Sequence, residues 1–425
     1  MNYTQKFKKS NVVEKLLLLS IIFLPISLIV GSAVINSNII ITNLIFLFII
    51  ILKQQKIFEE KTLLVILSSF FLLLVFLVFF SLNFENSLYR TLGFLRHVIL
   101  VFSLVYVFKY FKKAYIDLIL KFWLFIFLII SLDLMYEFIF GYNSLGYESY
   151  MPGRLVGFME DELKIGNLYM GLGVFVLGYL MKFYSKKSTL LIATVIFIIF
   201  ISFIIGERAN FLRLFLISYF LINFHFYQNQ KKNIVYFNLI LIFLLGLFIT
   251  LIISSSGGSS NTTNFKARYY YQLILPIKKN GIRNYIENST YGKHYNAAFR
   301  IFNENKITGA GLKNFRVESF KLDVNQDQSN KKYLGSTHPH QIHLEFLAET
   351  GLIGYFGWII FIIISIIYSI KMLANKFNYL SFCGLLYIII YIFIPLPTGS
   401  FFSSYPATIF WLNYSLMMSS SFRKS

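Results

Sequence analysis

Long apolar stretches, separated by short polar connectors, recur along the whole chain. Each is long enough to cross a hydrocarbon core of about 30 Å as a helix. A soluble core could not bury so many of them, so the pattern predicts an all-α polytopic membrane protein with about 12 transmembrane helices. The predicted spans are 16–33, 38–52, 62–81, 91–110, 116–139, 166–183, 189–205, 209–227, 234–253, 344–370, 378–395 and 403–419.

The connectors between these spans alternate in charge. Every second one is rich in lysine, as at 109–113, 182–187 and 371–376, whereas the short connectors between them hold few basic residues. Lysine-rich short connectors remain in the cytoplasm. Because the number of spans is even, the alternation predicts that both termini are cytoplasmic.

One connector is far longer than the others. The chain is predicted to be a single membrane domain over residues 1–425, in which residues 254–343 form a large loop on the outer side, between helices 9 and 10. The loop opens with the flexible stretch SSSGGSSNTTN, and HYNAAFRIFNEN has apolar residues at helical spacing. We therefore expect short helices that pack on the membrane surface.

Composition supports the membrane class and limits the partners. Of all residues 57% are hydrophobic and only 14% are charged, with a formal net charge of +20. Such a charge would suggest nucleic acid for a soluble protein, but here the basic residues follow the connectors. We expect membrane lipid and no nucleic acid as a partner. The single Cys383 excludes an internal disulfide and a Cys-based zinc site.

Ionisable residues beside membrane spans are candidate functional groups. Arg208 lies in GERANFL, where it either forms an ion pair with Glu207 or binds a ligand. Arg154 and Glu162 lie in GRLVGFMEDELKIG, which is either a solvated loop or part of a site.

A second group of ionisable residues lies within the predicted spans. Asp133 and Glu137 are four residues apart and share one helix face. The pattern favours buried structural pairs between these acids and Arg96 or Arg213.

Three histidines stand where the large loop re-enters the membrane, in STHPHQIHLEFLAETGLIGYFG. They are His338, His340 and His343. Three interpretations are open. The histidines lie at the solvated start of a membrane helix without a function, they form a zinc site of the His-x-His type, or one of them is a general base that is neutral near pH 7.

The string HPHQIHLEFLAETGLIG resembles the signature of the O-antigen ligase and O-antigen polymerase family, which are polyprenyl-diphosphate-dependent membrane glycosyltransferases. In that signature ten residues separate a His from a Gly, here His340 and Gly351. Three residues separate an Arg from a Leu, here Arg208 and Leu212. The strings RLVGFMEDELKIG, KITGAGLKNFR and PLPTGSFF are similar to the same family.

This resemblance implies glycosyl transfer on the periplasmic face of a bacterial inner (cytoplasmic) membrane. The donor would be a glycan on undecaprenyl diphosphate, and the acceptor would be lipid A-core or a carrier-linked glycan. His340 would be the catalytic base, and Arg208 and Arg316 would stabilise the leaving diphosphate. No cofactor and no metal are expected. Further residues expected to line the same cavity are Arg154, Glu162, Arg300 and Glu207.

Two glycosyl-transfer reactions and one other class of protein remain open as functions. A ligase would move finished glycan onto lipid A-core, whereas a polymerase would move it onto the next carrier-linked repeat. GERANFL and MEDELKIG resemble polymerase-like members slightly more. The alternative from another class is a polysaccharide or lipid-linked glycan transporter or flippase, which would favour paired repeats and midplane charges.

Overall fold

The computed structural model describes residues 12–53, 61–160, 162–184, 186–229, 231–254 and 264–419, and these ranges contain helices and no strand. Most of the Ser/Gly-rich lead-in of the large loop, residues 255–263, lies outside them. The α-helices are α1 Val12–Ile22, α2 Leu24–Val30, α3 Ser32–Lys53, α4 Lys61–Val78, α5 Phe84–Tyr110, α6 Lys113–Phe140, α7 Ile165–Tyr184, α8 Ser188–Ile204, α9 Arg208–Asn229, α10 Lys231–Ser254, α11 Leu275–Asn288, α12 Thr290–Glu304, α13 Asn314–Val324, α14 Ile342–Asn375, α15 Tyr379–Phe393 and α16 Ser404–Met417.

Every predicted span coincides with one of these helices, or with the bent pair α1 and α2 for the first span. Eight of the described helices are long and apolar enough to cross a membrane, and the bent pair would make nine. Helices α8 and α15 are apolar but shorter. The polytopic helical architecture is therefore confirmed, and the count of 12 spans remains a prediction.

Helix α7 forms the centre of the bundle, with an almost continuous run of buried residues from Ile165 to Met181. It packs against α15 and α16. Two of its glycines allow this approach, because a Cβ at Gly171 would lie 2.3 Å from the side chain of Ile409 and one at Gly178 would lie 2.9 Å from that of Leu380. Small residues at such interfaces let membrane helices pack closely.

The outer faces of the bundle are apolar. Helix α10 exposes most of its large side chains, among them Phe243 at 75% and Ile242 at 66%. Apolar faces of this extent on helices of membrane-spanning length are expected to contact lipid rather than water.

The described part of the large loop is mainly helical, and two of its helices, α12 and α13, pack on α14. A π-helical segment, Lys266–Ile274, leads into α11, and α12 and α13 follow. The loop has a small core of its own with the start of α14, formed by Ala297, Ala298, Ile301, Ala310, Phe315, Leu344 and Ala348. This packing holds the loop over the end of the bundle where α14 begins.

The expected ion pairs of Asp133 and Glu137 were wrong. Glu137 accepts hydrogen bonds from the backbone N–H groups of Val156 (2.9 Å) and Gly157 (2.8 Å). Asp133 accepts one from the backbone N–H of Ser144, at 2.9 Å. Both acids thus fix the connector after α6, because backbone donors there would otherwise be unsatisfied.

The two arginines expected as partners of these acids bind oxygens elsewhere. Arg96 donates to the carbonyl of Gly93 and to the hydroxyl of Ser404. Arg213 donates to the carbonyls of Leu396 and Pro397.

Candidate active site

His340 has an unusual backbone conformation. Its φ is +57°, in the left-handed region that non-glycine residues seldom adopt. The carbonyl of His340 accepts a hydrogen bond from the N–H of Thr398 at 2.9 Å, and its Nε2 lies 3.4 Å from the Ser336 hydroxyl. Conformations of this kind persist where the surroundings fix them and are common at functional sites.

The imidazole of His340 lies in a cluster of rings. Its centroid is 4.0 Å from that of His338, 5.2 Å from that of His294 and 5.5 Å from that of Tyr291. Burial, with a smaller effect of His294, lowers the pKa of His340 to about 4. Burial and then the neighbouring His340 lower the pKa of His338 to about 3. Both imidazoles are therefore neutral at pH 7 and able to accept a proton.

His343 is held apart from this cluster. Its Nε2 lies 2.8 Å from the carbonyl oxygen of Ile392, and its Nδ1 lies 3.1 Å from the hydroxyl of Tyr355. Both ring nitrogens are thus engaged with the helical bundle, which favours a structural role.

Three guanidinium groups gather beside the start of α9, and we call Arg154, Arg208 and Arg268 the arginine cluster. Arg154 forms an ion pair with Glu207 at 3.0 Å. Arg208 Nη1 donates to the carbonyl of Arg268 (3.4 Å), and Arg268 Nε donates to the carbonyl of Gly206 (2.9 Å). Burial first, and then the charges of Arg208 and Arg154, lower the pKa of Arg268 to about 10. Three guanidinium groups in one place suit an anionic ligand, because each can donate charge-assisted hydrogen bonds to it.

Tyr291 of α12 lies near both groups. Its ring packs on His340, and it is close enough to Arg268 to have a small effect on the pKa of that guanidinium. The structure thus brings Arg208, Arg154 and Glu207 toward the same part of the molecule as His340, although they are far apart in sequence.

The other three candidate residues lie outside this group. Arg316 is exposed on α13 and lines a shallow groove with Val317 and Phe320. Arg300 pairs with Glu304 on an outer face of α12, and Glu162 pairs with Lys164. A role for them in binding remains a prediction.

Sequence reasoning did not single out Arg268, His294 or Tyr291. All three come from the large loop, which holds 13 Lys and Arg residues, and nothing in the string KARYYYQ distinguishes Arg268 from the others. Its contacts depend on the π-helical segment, which places it against Gly206.

Gly351, which is separated from His340 by ten residues, lies at a break in α14. Its φ is +61° and its ψ is −164°. The loop string KITGAG then fills the break: Leu352 N–H donates to the carbonyl of Lys306 at 2.8 Å, and Gly311 N–H donates to that of Glu349 at 2.8 Å. The first part of α14 and the end of the large loop are thereby fixed against each other.

The metal interpretation requires several ligands in one place. Among the residues that the structure describes, no group of three or more His, Cys, Asp and Glu side chains could hold a metal ion. The zinc interpretation therefore has no ligand set in these ranges, and metal independence remains a prediction.

Residues 174–359 match the O-antigen ligase family model. The matched segment includes Arg208, the large loop and the His340 string, and it confirms the resemblance that the sequence strings indicated. The match supports a membrane glycosyltransferase of the O-antigen ligase or polymerase type in a bacterium. No curated protein matches the chain.

Proposed function

We propose that the protein transfers a glycan from undecaprenyl diphosphate to a sugar hydroxyl on the periplasmic face of the inner membrane. The observation that carries this proposal is that Tyr291 packs on the neutral, half-buried imidazole of His340 and lies near Arg268 of the arginine cluster. The histidine offers a base for the acceptor, and the arginines offer hydrogen-bond donors for a diphosphate.

The proposed reaction is an in-line displacement with inversion. The acceptor oxygen attacks the anomeric carbon while His340 accepts the proton of the attacking hydroxyl. The bond between the anomeric carbon and the diphosphate oxygen breaks, and undecaprenyl diphosphate leaves with the electron pair. Arg208 and the arginines beside it would stabilise the charge that develops on the leaving oxygens. In this scheme arginine takes the role that a metal ion has in other phosphate chemistry, so transfer should persist in chelator.

The proposed orientation follows the lysine-rich connectors. Lysine-rich connectors remain in the cytoplasm, and the large loop lies at the opposite end of the bundle. The histidine rings and the arginine cluster lie at the same end as the large loop. At this end nucleotide sugars are absent, so a lipid-linked donor is the expected source of glycan. A flippase would need a polar path across the bilayer rather than a group of polar residues at one end.

Glycan analysis of a strain that lacks the protein tests the proposal and separates its two forms. Lipid A that carries only single repeats would indicate a polymerase. Loss of all long chains from lipid A, with polymer retained on the carrier, would indicate a ligase. Unchanged glycan on both lipid A and carrier would contradict the proposed function.

A further inference from the structure

The loop between α15 and α16 contacts the backbone of His340, and a buried side chain holds it at each end. We call residues 396–401 the α15–α16 loop. In its middle, Thr398 donates its N–H to the carbonyl of His340 at 2.9 Å. Thr398 is only 6% exposed. The left-handed conformation of His340 therefore depends on where this loop lies.

Arg213 of α9 holds the first end of the loop. Its Nη2 donates to the carbonyl of Leu396 and its Nη1 to that of Pro397, both at 2.9 Å. Its guanidinium also lies 4.9 Å from the ring centroid of Tyr391, and the residue is 1% exposed. A buried guanidinium that donates to two successive carbonyls fixes both position and direction of the chain.

Glu345 of α14 holds the other end of the loop. Its carboxylate accepts hydrogen bonds from the hydroxyl of Ser400 and from the N–H of Phe401, the latter at 2.8 Å. With both ends fixed, Thr398 has little freedom to move away from His340.

Arg213 also reaches toward the arginine cluster. Its Nη1 lies 3.5 Å from the Oδ1 of Asn210, whose Nδ2 donates to Glu207 at 2.6 Å. Glu207 in turn pairs with Arg154. One continuous series of polar contacts therefore leads from Arg154 to the backbone of His340.

From this geometry we infer that Arg213 is a positioning residue for His340, which acts through the α15–α16 loop and does not touch the substrate. The inference rests on the proposed function, because it assigns His340 as the base. Without Arg213 the loop would shift, Thr398 would release the His340 carbonyl, and the imidazole would leave its position among the rings of His338, His294 and Tyr291.

The test compares Arg213→Lys with Arg96→Lys. Arg96 is a matched control, since its guanidinium also donates to a backbone carbonyl and to one other oxygen, but that oxygen belongs to Ser404 of α16 and not to the α15–α16 loop. Each variant is purified as the full chain and added to membranes of the deletion strain, which contain the natural donor and acceptor. Transfer per folded protein is measured across a pH series.

We expect Arg213→Lys to lower transfer at pH 7 by about 10²-fold, because a misplacement of about 1 Å can have this effect. The acid limb of the pH profile should also move upward, toward the ordinary histidine pKa of about 6.5, as the imidazole becomes solvated. The titratable groups that face His340 are His338 on its own segment and His294 and Tyr291 on α12, and they are unchanged in the variant. Arg96→Lys should leave the profile unmoved.

A second variant removes the hydrogen bond without changing Arg213. Thr398→Pro lacks the N–H that binds His340, whereas Thr398→Ala keeps it. We expect the proline variant to move the acid limb in the same direction as Arg213→Lys and the alanine variant to move it less. This comparison stays decisive even where the buried lysine prevents folding.

The outcomes separate the inference from the function. If Arg213→Lys and Thr398→Pro keep the wild-type pH profile, Arg213 is structural and the inference is wrong. If the wild-type protein transfers no glycan, or if His340→Ala remains fully active, the proposed function itself fails.

Discussion

The carboxylate of Glu207 pairs with Arg154 at 3.0 Å and not with its chain neighbour Arg208. Arg208 instead makes one long hydrogen bond, of 3.4 Å, to the carbonyl of Arg268. Of the two explanations that the string GERANFL allowed for Arg208, the ion pair with Glu207 is therefore absent from the structure. The guanidinium of Arg208 therefore retains N–H groups that could donate hydrogen bonds to a diphosphate.

Arg208→Lys should be nearly as inactive as Arg208→Ala. Lysine keeps the charge but loses the planar pair of donors that binds two phosphate oxygens at once. The measurement is transfer by each purified variant, normalised to folded protein, in membranes that contain the natural substrates. Near wild-type transfer by the lysine variant would mean that only the charge of Arg208 matters.

Glu207 should stabilise the protein through Arg154. Both side chains are mostly buried, and removal of one partner from a buried pair typically costs about 3–5 kcal/mol. We expect Glu207→Ala to cost about 3 kcal/mol, and the double variant with Arg154→Ala to cost less than the sum of the two single variants. Denaturant unfolding in detergent measures all three. Additive costs would show that the pair is not coupled.

His340→Ala should lower transfer by about 10²–10⁴-fold with normal amounts of protein in the membrane. His343→Ala should be milder because both ring nitrogens of His343 bind the bundle, and His338→Ala should also be milder. The wild-type activity should persist on acidification until the pH approaches about 4, because the lowered pKa keeps His340 neutral above that value. A pH–rate profile with its acid limb at 6.5 would contradict a catalytic base whose pKa is lowered by its surroundings.

The apolar runs predicted where helices lie, because period and length alone indicate a membrane span. They could not predict the site to the same degree. The left-handed backbone of His340 depends on Thr398, 58 residues later, and the position of Arg268 depends on Gly206. Arg316 and Arg268 are both basic residues of the large loop, and only tertiary packing exposes the first and half-buries the second. Spacing did locate Gly351, whose backbone breaks α14.

Gly351→Ala should destabilise the protein, whereas Gly246→Ala should not. A Cβ at Gly351 would lie 2.4 Å from the carbonyl oxygen of Ile307, in a backbone conformation that alanine adopts only at a cost of about 1–3 kcal/mol. Gly246 is in the middle of α10 and a Cβ there meets nothing within 4 Å, so alanine should be neutral or favourable. Thermal unfolding of both variants in detergent gives the comparison. Equal midpoints would remove the strained break as a structural requirement.

The side of the membrane on which the large loop lies can be tested with single cysteines. The only native cysteine, Cys383, is buried, so Cys383→Ser provides a background without reactive thiol. Asn284 is exposed on α11 of the loop, and Lys186 is exposed in one of the lysine-rich connectors. We expect a membrane-impermeant maleimide to label Asn284→Cys in intact spheroplasts and to label Lys186→Cys only after lysis, because lysine-rich connectors remain in the cytoplasm. The opposite labelling would place His340 and the arginine cluster on the cytoplasmic side. A periplasmic transfer reaction would then be impossible at this site, whatever the His340 variants show.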